Sequence, residues 1–277
     1  MSPLALASLM MIASGSLHAV VNAIVKSGRD AMAARAVTDA ASAIILLPAL
    51  LLVPLPTAAW GWLALSAVIH AAYLYALIRA YRVGDFSAAY PVLRGTAPLV
   101  TAIVSVGLLG EPASAADIAG VALIAIAMFG LVAGRHLSSD ALGWSLLTGV
   151  AIAAYTVVDA HGVRAAPVPE SYIVWLFVVM GGTVIAMFAG LTRGRLFAAM
   201  RDQWRPGVVA GVLSILTYGL ALSAFALGPT APLAALRETG MVTALLLAVL
   251  VLRERVTRRR MFAIAAILAG AALIIAG

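Results

Sequence analysis

The sequence predicts an all-α membrane protein of ten transmembrane helices, arranged as two five-helix repeats that are inserted in opposite orientations. Three observations lead to this prediction. Of the 277 residues, 64% are hydrophobic and only 10% are charged, which leaves too little polar surface for a protein folded in water. Apolar stretches of about 20 residues, the length that crosses a bilayer as a helix, recur along the chain. Basic residues and a repeated Leu-Arg motif relate the two halves.

Ten apolar stretches follow one another with short polar breaks between them. They are placed at 3–26, 31–54, 57–80, 86–109, 115–134, 141–161, 169–191, 206–227, 230–252 and 259–276. A transmembrane β-barrel is excluded because the stretches are continuously apolar and do not alternate. The first stretch lacks a basic leading segment and is too long for a signal-peptide core, so we expect it to be retained as a helix.

Lysine and arginine between the stretches lie almost entirely on one side. The breaks after the odd-numbered stretches carry nearly all of them, whereas the opposite side carries only Arg164. By the positive-inside rule, both termini are expected in the periplasm of a bacterial inner membrane. Five helices per half oblige the second half to enter upside down, and the charges agree with that inversion. Topology explains the net charge of +7, so no nucleic acid partner is predicted.

The two repeats also share sequence. Segment 93–96, Leu-Arg-Gly-Thr, corresponds to segment 236–239, Leu-Arg-Glu-Thr, and the apolar run after each motif ends at a glutamate, Glu111 or Glu254. The arginine and the glutamate are equally far apart in both copies. We therefore divide the chain into a first repeat at 1–137 and a second, inverted repeat at 138–277. Both glutamates are expected to be solvated helix ends.

Polar side chains within the spans fall on helical stripes, which indicates that these helices surround a polar interior. A charge near the bilayer centre costs roughly 2.5–3.5 kcal/mol on insertion scales, so charged residues in the spans must pair or line a hydrated cavity. Arg35 and Asp39 are expected to form a structural ion pair one turn apart. Spans 5 and 10 carry no strongly polar side chain over 118–134 and 261–276. Each repeat is therefore expected to have four core helices and one peripheral helix that faces lipid.

Arginine is well suited to hold a carboxylate inside such a cavity because its guanidinium binds both oxygens. Arg94 and Arg237 fit this role and a lock between helix ends equally well, and aromatic side chains could either line the cavity or pack in the core. We favour buried neutral histidines, bonded to a neighbouring helix, over proton carriers. The candidate substrate-binding residues are His18, Asn22, His70, Tyr73, Tyr90, Arg94, Tyr155, Trp175, Tyr218, Arg237 and Glu238. The candidate proton-coupling residues are Asp39, Asp159 and Glu238.

The motifs of the chain, taken together, resemble those of the drug/metabolite transporter superfamily, in its two-repeat branch with paired EamA domains. The residues that carry the resemblance are Leu17, His18, Ala19, Asn22, Lys26, Gly84, Asp85, segment 90–95, Gly110, Glu111, segment 236–239 and Glu254. The resemblance covers essentially the full chain. It implies an exporter of small amphipathic metabolites, with amino acids, including aromatic ones, as the nearest type, working by alternating access through a central cavity. Span 1 departs from the commoner Trp-Gly pattern with Ser14-Gly15.

Two other functions remain open at the level of sequence. An arginine pair would also suit an anionic phosphorylated metabolite. An intramembrane enzyme is the remote alternative, since the sequence has no His-Glu-x-x-His, Gly-x-Gly-Asp or Gly-x-Ser-x-Gly motif. We expect no metal, no cofactor and no catalytic residue, and as partners only the small-molecule substrate and the lipid bilayer. The protein is expected to be a monomer or a weak oligomer.

Overall fold

The computed structural model of the protein describes residues 1–27, 30–193, 195–250 and 257–277, without the side chains of 26, 27, 31, 86, 87 and 248–250. Within these ranges the chain is helical and contains no strand. The α-helices are α1 (Pro3–Ser27), α2 (Ala31–Leu46), α3 (Trp60–Val83), α4 (Phe86–Ala102), α5 (Ala115–Gly130), α6 (Ser139–Ala165), α7 (Pro169–Thr192), α8 (Leu196–Leu227), α9 (Thr230–Leu236), α10 (Gly240–Leu250) and α11 (Arg258–Ala276).

Eight helical segments of the described chain are long and apolar enough to cross a membrane. The apolar helix α5 is shorter, with 16 residues. The ninth predicted span is divided into α9, a 3₁₀ segment at Arg237–Thr239 and α10. Ten spans are compatible with this arrangement, and the division into two inverted repeats stays a prediction.

Several helices differ from the predicted spans in where they begin or end. Helix α2 gives way to a 3₁₀ segment at Leu47–Leu51, where Pro48 lacks the N–H of a regular α-helix. Helix α4 continues as a π-helical segment at Ile103–Leu108. The largest difference concerns residues 196–205. They lie in the break between the seventh and eighth predicted spans, but they form the beginning of α8.

Side-chain caps begin four of the helices where the sequence supplies a short polar residue. Asp30 accepts hydrogen bonds from backbone N–H groups at the start of α2, and Ser138 and Thr257 cap α6 and α11 in the same way. Ser114 and Asp117 form a reciprocal capping box at the start of α5. These caps satisfy N–H groups that have no partner within the helix.

Packing between helices mostly joins the first half of the chain to the second. Helix α3 lies along α6, α4 also packs on α6, and both α1 and α2 pack along α8. Helix α5 packs against α11, where Gly120 and Gly270 lie backbone to backbone. The two helices that carry no strongly polar side chain over 118–130 and 261–276 are thus each other's neighbours, and the other helices pack mainly between the halves.

Candidate functional site

The interrupted helix at Arg237–Thr239 lies at the centre of the polar interior. A Cβ atom on Gly15 of α1 would collide with the backbone carbonyl of Arg237, and a Cβ atom on Gly240 would collide with the backbone of Gly15. The two glycines therefore allow α1 to approach the backbone at this break. The 3₁₀ segment follows α9 directly, and its side chains Arg237, Glu238 and Thr239 are all buried. The break thus buries Arg237 and Glu238, two consecutive residues of opposite charge that do not form an ion pair with each other.

Glu238 neutralises one of the two repeat-related arginines and leaves the other free. Arg94 Nε lies 2.8 Å from Glu238 Oε2, an ion-pair distance, although the angles are not those of a hydrogen bond. The guanidinium of Arg237 lies 5.2 Å from the ring centroid of Tyr218. Arg237 is 8% exposed, and its Nε has no hydrogen-bond partner among the described residues. Arg237 is thus a buried cation with no carboxylate at ion-pair distance in the described chain, although Glu238 is close enough to interact with it electrostatically.

Aromatic rings from three helices form one wall of this region. The imidazole of His70 stacks on Tyr155 with the ring centroids 4.0 Å apart. Tyr73 meets Tyr155 edge to face at 5.4 Å, and Tyr218 does so at 6.4 Å. The Nδ1 atom of His70 lies within hydrogen-bonding distance of Ser66 on the same helix. The expectation that His70 bonds to a neighbouring helix is therefore wrong, since its contact across helices is the ring stack.

Asp159 of α6 is completely buried behind the aromatic wall. Its two carboxylate oxygens accept hydrogen bonds from the hydroxyl groups of Tyr172, at 2.7 Å, and Tyr218, at 2.5 Å. Tyr218 thereby connects Asp159 to Arg237, because one face of its ring carries the guanidinium and its hydroxyl reaches the carboxylate. Tyr172 was not among the candidate residues, since its position near the start of a span gave no signal of a partner in α6.

Arg35, Asp39 and His18 of the first half border the same region. Arg35 and Asp39 form the expected ion pair, with Nε and Oδ2 2.7 Å apart. Arg35 interacts electrostatically with Tyr73 and Tyr155. His18 of α1 interacts electrostatically with Arg237, Arg94 and Arg35. Tyr90 lies one turn before Arg94, and its ring centroid is 5.9 Å from the Arg94 guanidinium.

Several of these side chains are partly exposed within the helices that carry them. His18, Arg35, Tyr73, Tyr90 and Tyr218 are all half-exposed, whereas their helix neighbours on the packed faces are buried. Charged and hydroxyl groups at this depth are stable only if they pair or are hydrated. These partly exposed side chains therefore require partners or hydration.

One candidate, Trp175, lies apart from this cluster. The ring of Trp175 packs edge to face on Trp60 at 4.8 Å, and its indole nitrogen is buried without a hydrogen-bond partner in the described chain. Asn22 lies one turn beyond His18 on α1 and is half-exposed. The side chain of Lys26 and all of Glu254 lie outside the described residues. No group of three metal-ligating side chains occurs in the described ranges.

A second charged cluster joins the two halves at the end of the bundle where the even-numbered breaks meet. Glu111 Oε1 lies 2.6 Å from Arg164 Nη1 and 2.8 Å from the Thr230 hydroxyl, and Glu111 Oε2 accepts the Thr230 backbone N–H at 2.7 Å. Arg164 also donates to the carbonyls of Phe225, at 2.8 Å, and Gly228, at 2.7 Å. We call Glu111, Arg164 and Thr230 the Glu111 clamp.

The expectation that Glu111 is a solvated helix end is wrong. Its carboxylate is the N-terminal anion of α9 and the partner of Arg164, which belongs to the other half of the chain. Partial burial acts to raise the pKa of Glu111, but the hydrogen bonds from the Thr230 amide, Arg164 and the Thr230 hydroxyl outweigh burial and hold the pKa below its ordinary value. The sequence did carry a signal, because Arg164 is the one basic residue in the breaks that follow the even-numbered predicted spans.

Comparison with known proteins agrees with the architecture. One crystal structure, described only as that of a protein, superposes on this chain with a TM-score of 0.73. The superposition covers 97% of this chain and 98% of the other chain, at 16% sequence identity. The similarity therefore concerns the fold alone. No curated protein matches the sequence. Residues 141–276 match the EamA-like transporter family, which consists of membrane proteins. The span from α6 to α11 is therefore a domain of the EamA-like transporter family.

Proposed function

We propose that the protein is a secondary transporter that exports small amphipathic metabolites, and amino acids above all, by alternating access through the central cavity. The observation that carries the proposal is Arg237, a cation buried in the interior with no carboxylate at ion-pair distance in the described chain. A permanently unpaired charge at this depth is costly, whereas a carboxylate that binds there supplies the missing partner. The family match favours transport of small molecules over catalysis.

The charges around Arg237 favour a monocarboxylate. Arg94 is already neutralised by Glu238, and Arg35 is paired with Asp39. Of the three described arginines at this region, Arg237 therefore remains for a substrate, which suits the single carboxylate of an amino acid better than the doubly charged phosphate of a phosphorylated metabolite. Glu238 lies next to Arg237 in the chain, and in this proposal its carboxylate accepts a substrate ammonium while it remains paired with Arg94.

The rings beside Arg237 favour a substrate with an apolar or aromatic side chain. Tyr218 lies under the guanidinium, and Tyr155, Tyr73 and His70 continue the same wall at centroid distances of 4.0–6.4 Å. Aromatic walls contribute apolar contact area and edge-to-face contacts with substrate rings. In this proposal Tyr90, His18 and Asn22 complete the cavity, and Trp175 packs in the bundle.

Counterflow into proteoliposomes tests the site. Radiolabelled phenylalanine is taken up against an internal pool of unlabelled phenylalanine, with a sugar phosphate as the competing anion. Removal of a hydrogen-bonded charge partner costs about 1.5–3 kcal/mol, so Arg237→Ala should raise the KM for phenylalanine by roughly 10- to 150-fold. Arg237→Lys should recover part of the loss. The matched control, Arg258→Gln, removes an exposed charge and should leave the KM unchanged. Normal uptake by a folded Arg237→Ala protein would refute the site.

Topology, location and coupling belong to the same proposal. The protein is placed in the bacterial inner membrane as a monomer or weak oligomer, with both termini in the periplasm because the basic breaks face the cytoplasm. A C-terminal reporter that is active in the cytoplasm would refute this orientation. Asp39, Asp159 and Glu238 are the proposed proton-coupling residues. Uptake measured with and without a pH gradient distinguishes coupled export from facilitated diffusion.

A further inference from the structure

Helix α8 is longer than a bilayer span, and its additional residues belong to the basic break that follows the seventh predicted span. Its 32 residues extend roughly 48 Å at 1.5 Å per residue, against about 30 Å for the hydrocarbon core. The additional residues are 196–205, which form the beginning of the helix. Within this segment Phe197 is 59% and Trp204 is 56% exposed. Exposed aromatic side chains at the end of a span are typical of the interface between hydrocarbon and headgroups.

An apolar groove runs from this segment into the membrane between α2 and α8. Its floor is formed by the small residues Ala40 and Ala41, because Gly207 and Gly211 let the two helices pack closely. Its walls include Ile44 and Val208, and its volume is about 370 Å³. The groove has almost no polar surface along its length, which suits an alkyl chain.

Positive charge is concentrated at the headgroup end of the groove. Arg201 lines the groove beside Trp204, and the guanidinium of Arg205 lies 5.3 Å from the Trp204 ring centroid. Both arginines are exposed, and neither forms an ion pair with a described residue. Asp202 is the only acidic residue in 196–205. The face formed by 201, 204, 205 and 208 thus carries two arginines and a tryptophan over about one turn and an aliphatic side chain in the next turn, which matches the headgroup and the acyl chain of a phospholipid.

We propose that the α2–α8 groove is a binding site for an anionic phospholipid, with an acyl chain along Ala40, Ala41 and Val208 and the phosphate at Arg201 and Arg205. Charge complementarity selects an anionic headgroup, since each basic residue near a membrane surface contributes about a fivefold preference for anionic lipid. The site is independent of the substrate cavity, which lies among other faces of the bundle. A lipid held there would brace α2 and α8, two helices from opposite halves.

Quenching of Trp204 by brominated lipids tests the proposal in the intact protein. The protein is placed in nanodiscs with rising fractions of brominated phosphatidylglycerol or of brominated phosphatidylcholine. The chain has five tryptophans, so the fluorescence of Trp204 is obtained as the difference between wild type and Trp204→Phe. We expect Trp204 to be quenched at a much lower fraction of phosphatidylglycerol than of phosphatidylcholine. The double substitution Arg201→Gln with Arg205→Gln should reduce the preference for phosphatidylglycerol about 30-fold. Val208→Phe should reduce the quenching of Trp204 because the larger side chain fills the groove.

The matched control pair is Arg82→Gln with Arg258→Gln, which removes two exposed charges from the same end of the bundle but away from the groove. This control should keep the preference for phosphatidylglycerol. Equal quenching by both lipids, or an equal loss in the control pair, would overturn the proposal, because either result indicates general contact with the bilayer. A dimer that shields Trp204 without any lipid preference would overturn it in favour of a second copy of the chain.

Discussion

Replacing Glu111 by glutamine should open the end of the bundle that the Glu111 clamp closes. Glutamine has nearly the same shape but no charge, and it keeps one acceptor oxygen in place of two. One of the three hydrogen bonds to Arg164 and Thr230 is then lost, because an amide NH₂ would face the Thr230 N–H. The ion pair with Arg164 becomes a neutral hydrogen bond.

The magnitude follows from these contacts. A hydrogen bond to a charged group contributes about 1.5–3 kcal/mol, while the exposed side of the Arg164 pair adds less than about 1 kcal/mol. We expect the closed arrangement to lose about 2 kcal/mol relative to an open one. That change raises the open population about 30-fold.

Cysteine labelling measures the open population directly, because the chain contains no cysteine of its own. Ala231 follows Thr230 and is 1% exposed, so a cysteine in the Ala231→Cys variant reacts with a maleimide only when the clamp opens. Glu111→Gln should increase the labelling rate about 30-fold. Glu170→Gln, an exposed carboxylate at the start of α7, is the control and should not change it. If both substitutions give the same rate, the clamp does not close this end.

Four further predictions concern the pH dependence of stability, the close approach of α1 to the 237–239 break, and the buried carboxylates Asp159 and Glu238. The stability that Glu111 contributes should be fully present above its ordinary pKa of 4.5 and be lost as the pH falls through its lower folded pKa, so the melting temperatures of wild type and Glu111→Gln should converge in acid. Gly15→Ala should destabilise the fold by about 1–3 kcal/mol in denaturation, whereas Gly182→Ala, with open space around its Cβ, should be neutral or stabilising. Asp159→Asn should lower the melting temperature by weakening two tyrosine bonds, and should abolish the pH-gradient dependence of uptake if Asp159 carries the coupled proton. Glu238→Gln should free Arg94 and so raise uptake of a doubly charged anion relative to phenylalanine; an unchanged ratio would show that Glu238 does not set the charge of the site.

Helix positions could be predicted closely from hydropathy, because in lipid each apolar stretch satisfies its own backbone hydrogen bonds. The starts of α7 and α9 coincide with the predicted spans at 169 and 230. The prediction failed at 196–205, because a helix that leaves the hydrocarbon no longer needs to be apolar. The ion pair of Arg35 and Asp39 was predictable for a related reason, since residues one turn apart on a helix are neighbours whatever the fold.

The periodicity of the sequence could not predict which residues from distant parts of the chain contact each other. Repeat symmetry treats Arg94 and Arg237 as equivalents, yet Glu238 stands where the first repeat has Gly95, and the pair that forms is Arg94 with Glu238. Hydropathy likewise treats Glu111 as an ordinary helix end, whereas packing brings it to Arg164 of the second half.

The sequence by itself determined that lipid is the solvent, where the apolar helices lie and which of them carry charge, because these properties depend on composition and on spacing along one helix. Only the tertiary structure decided which charges neutralise each other and which cation is left over. Ion pairing acts over a few ångströms between helices that are far apart in sequence. The packing of α1 and α6 against α8, of α1 against the 237–239 break and of α4 against α9 sets those distances. That packing makes Arg237, and not Arg94, the arginine to which we assign the substrate.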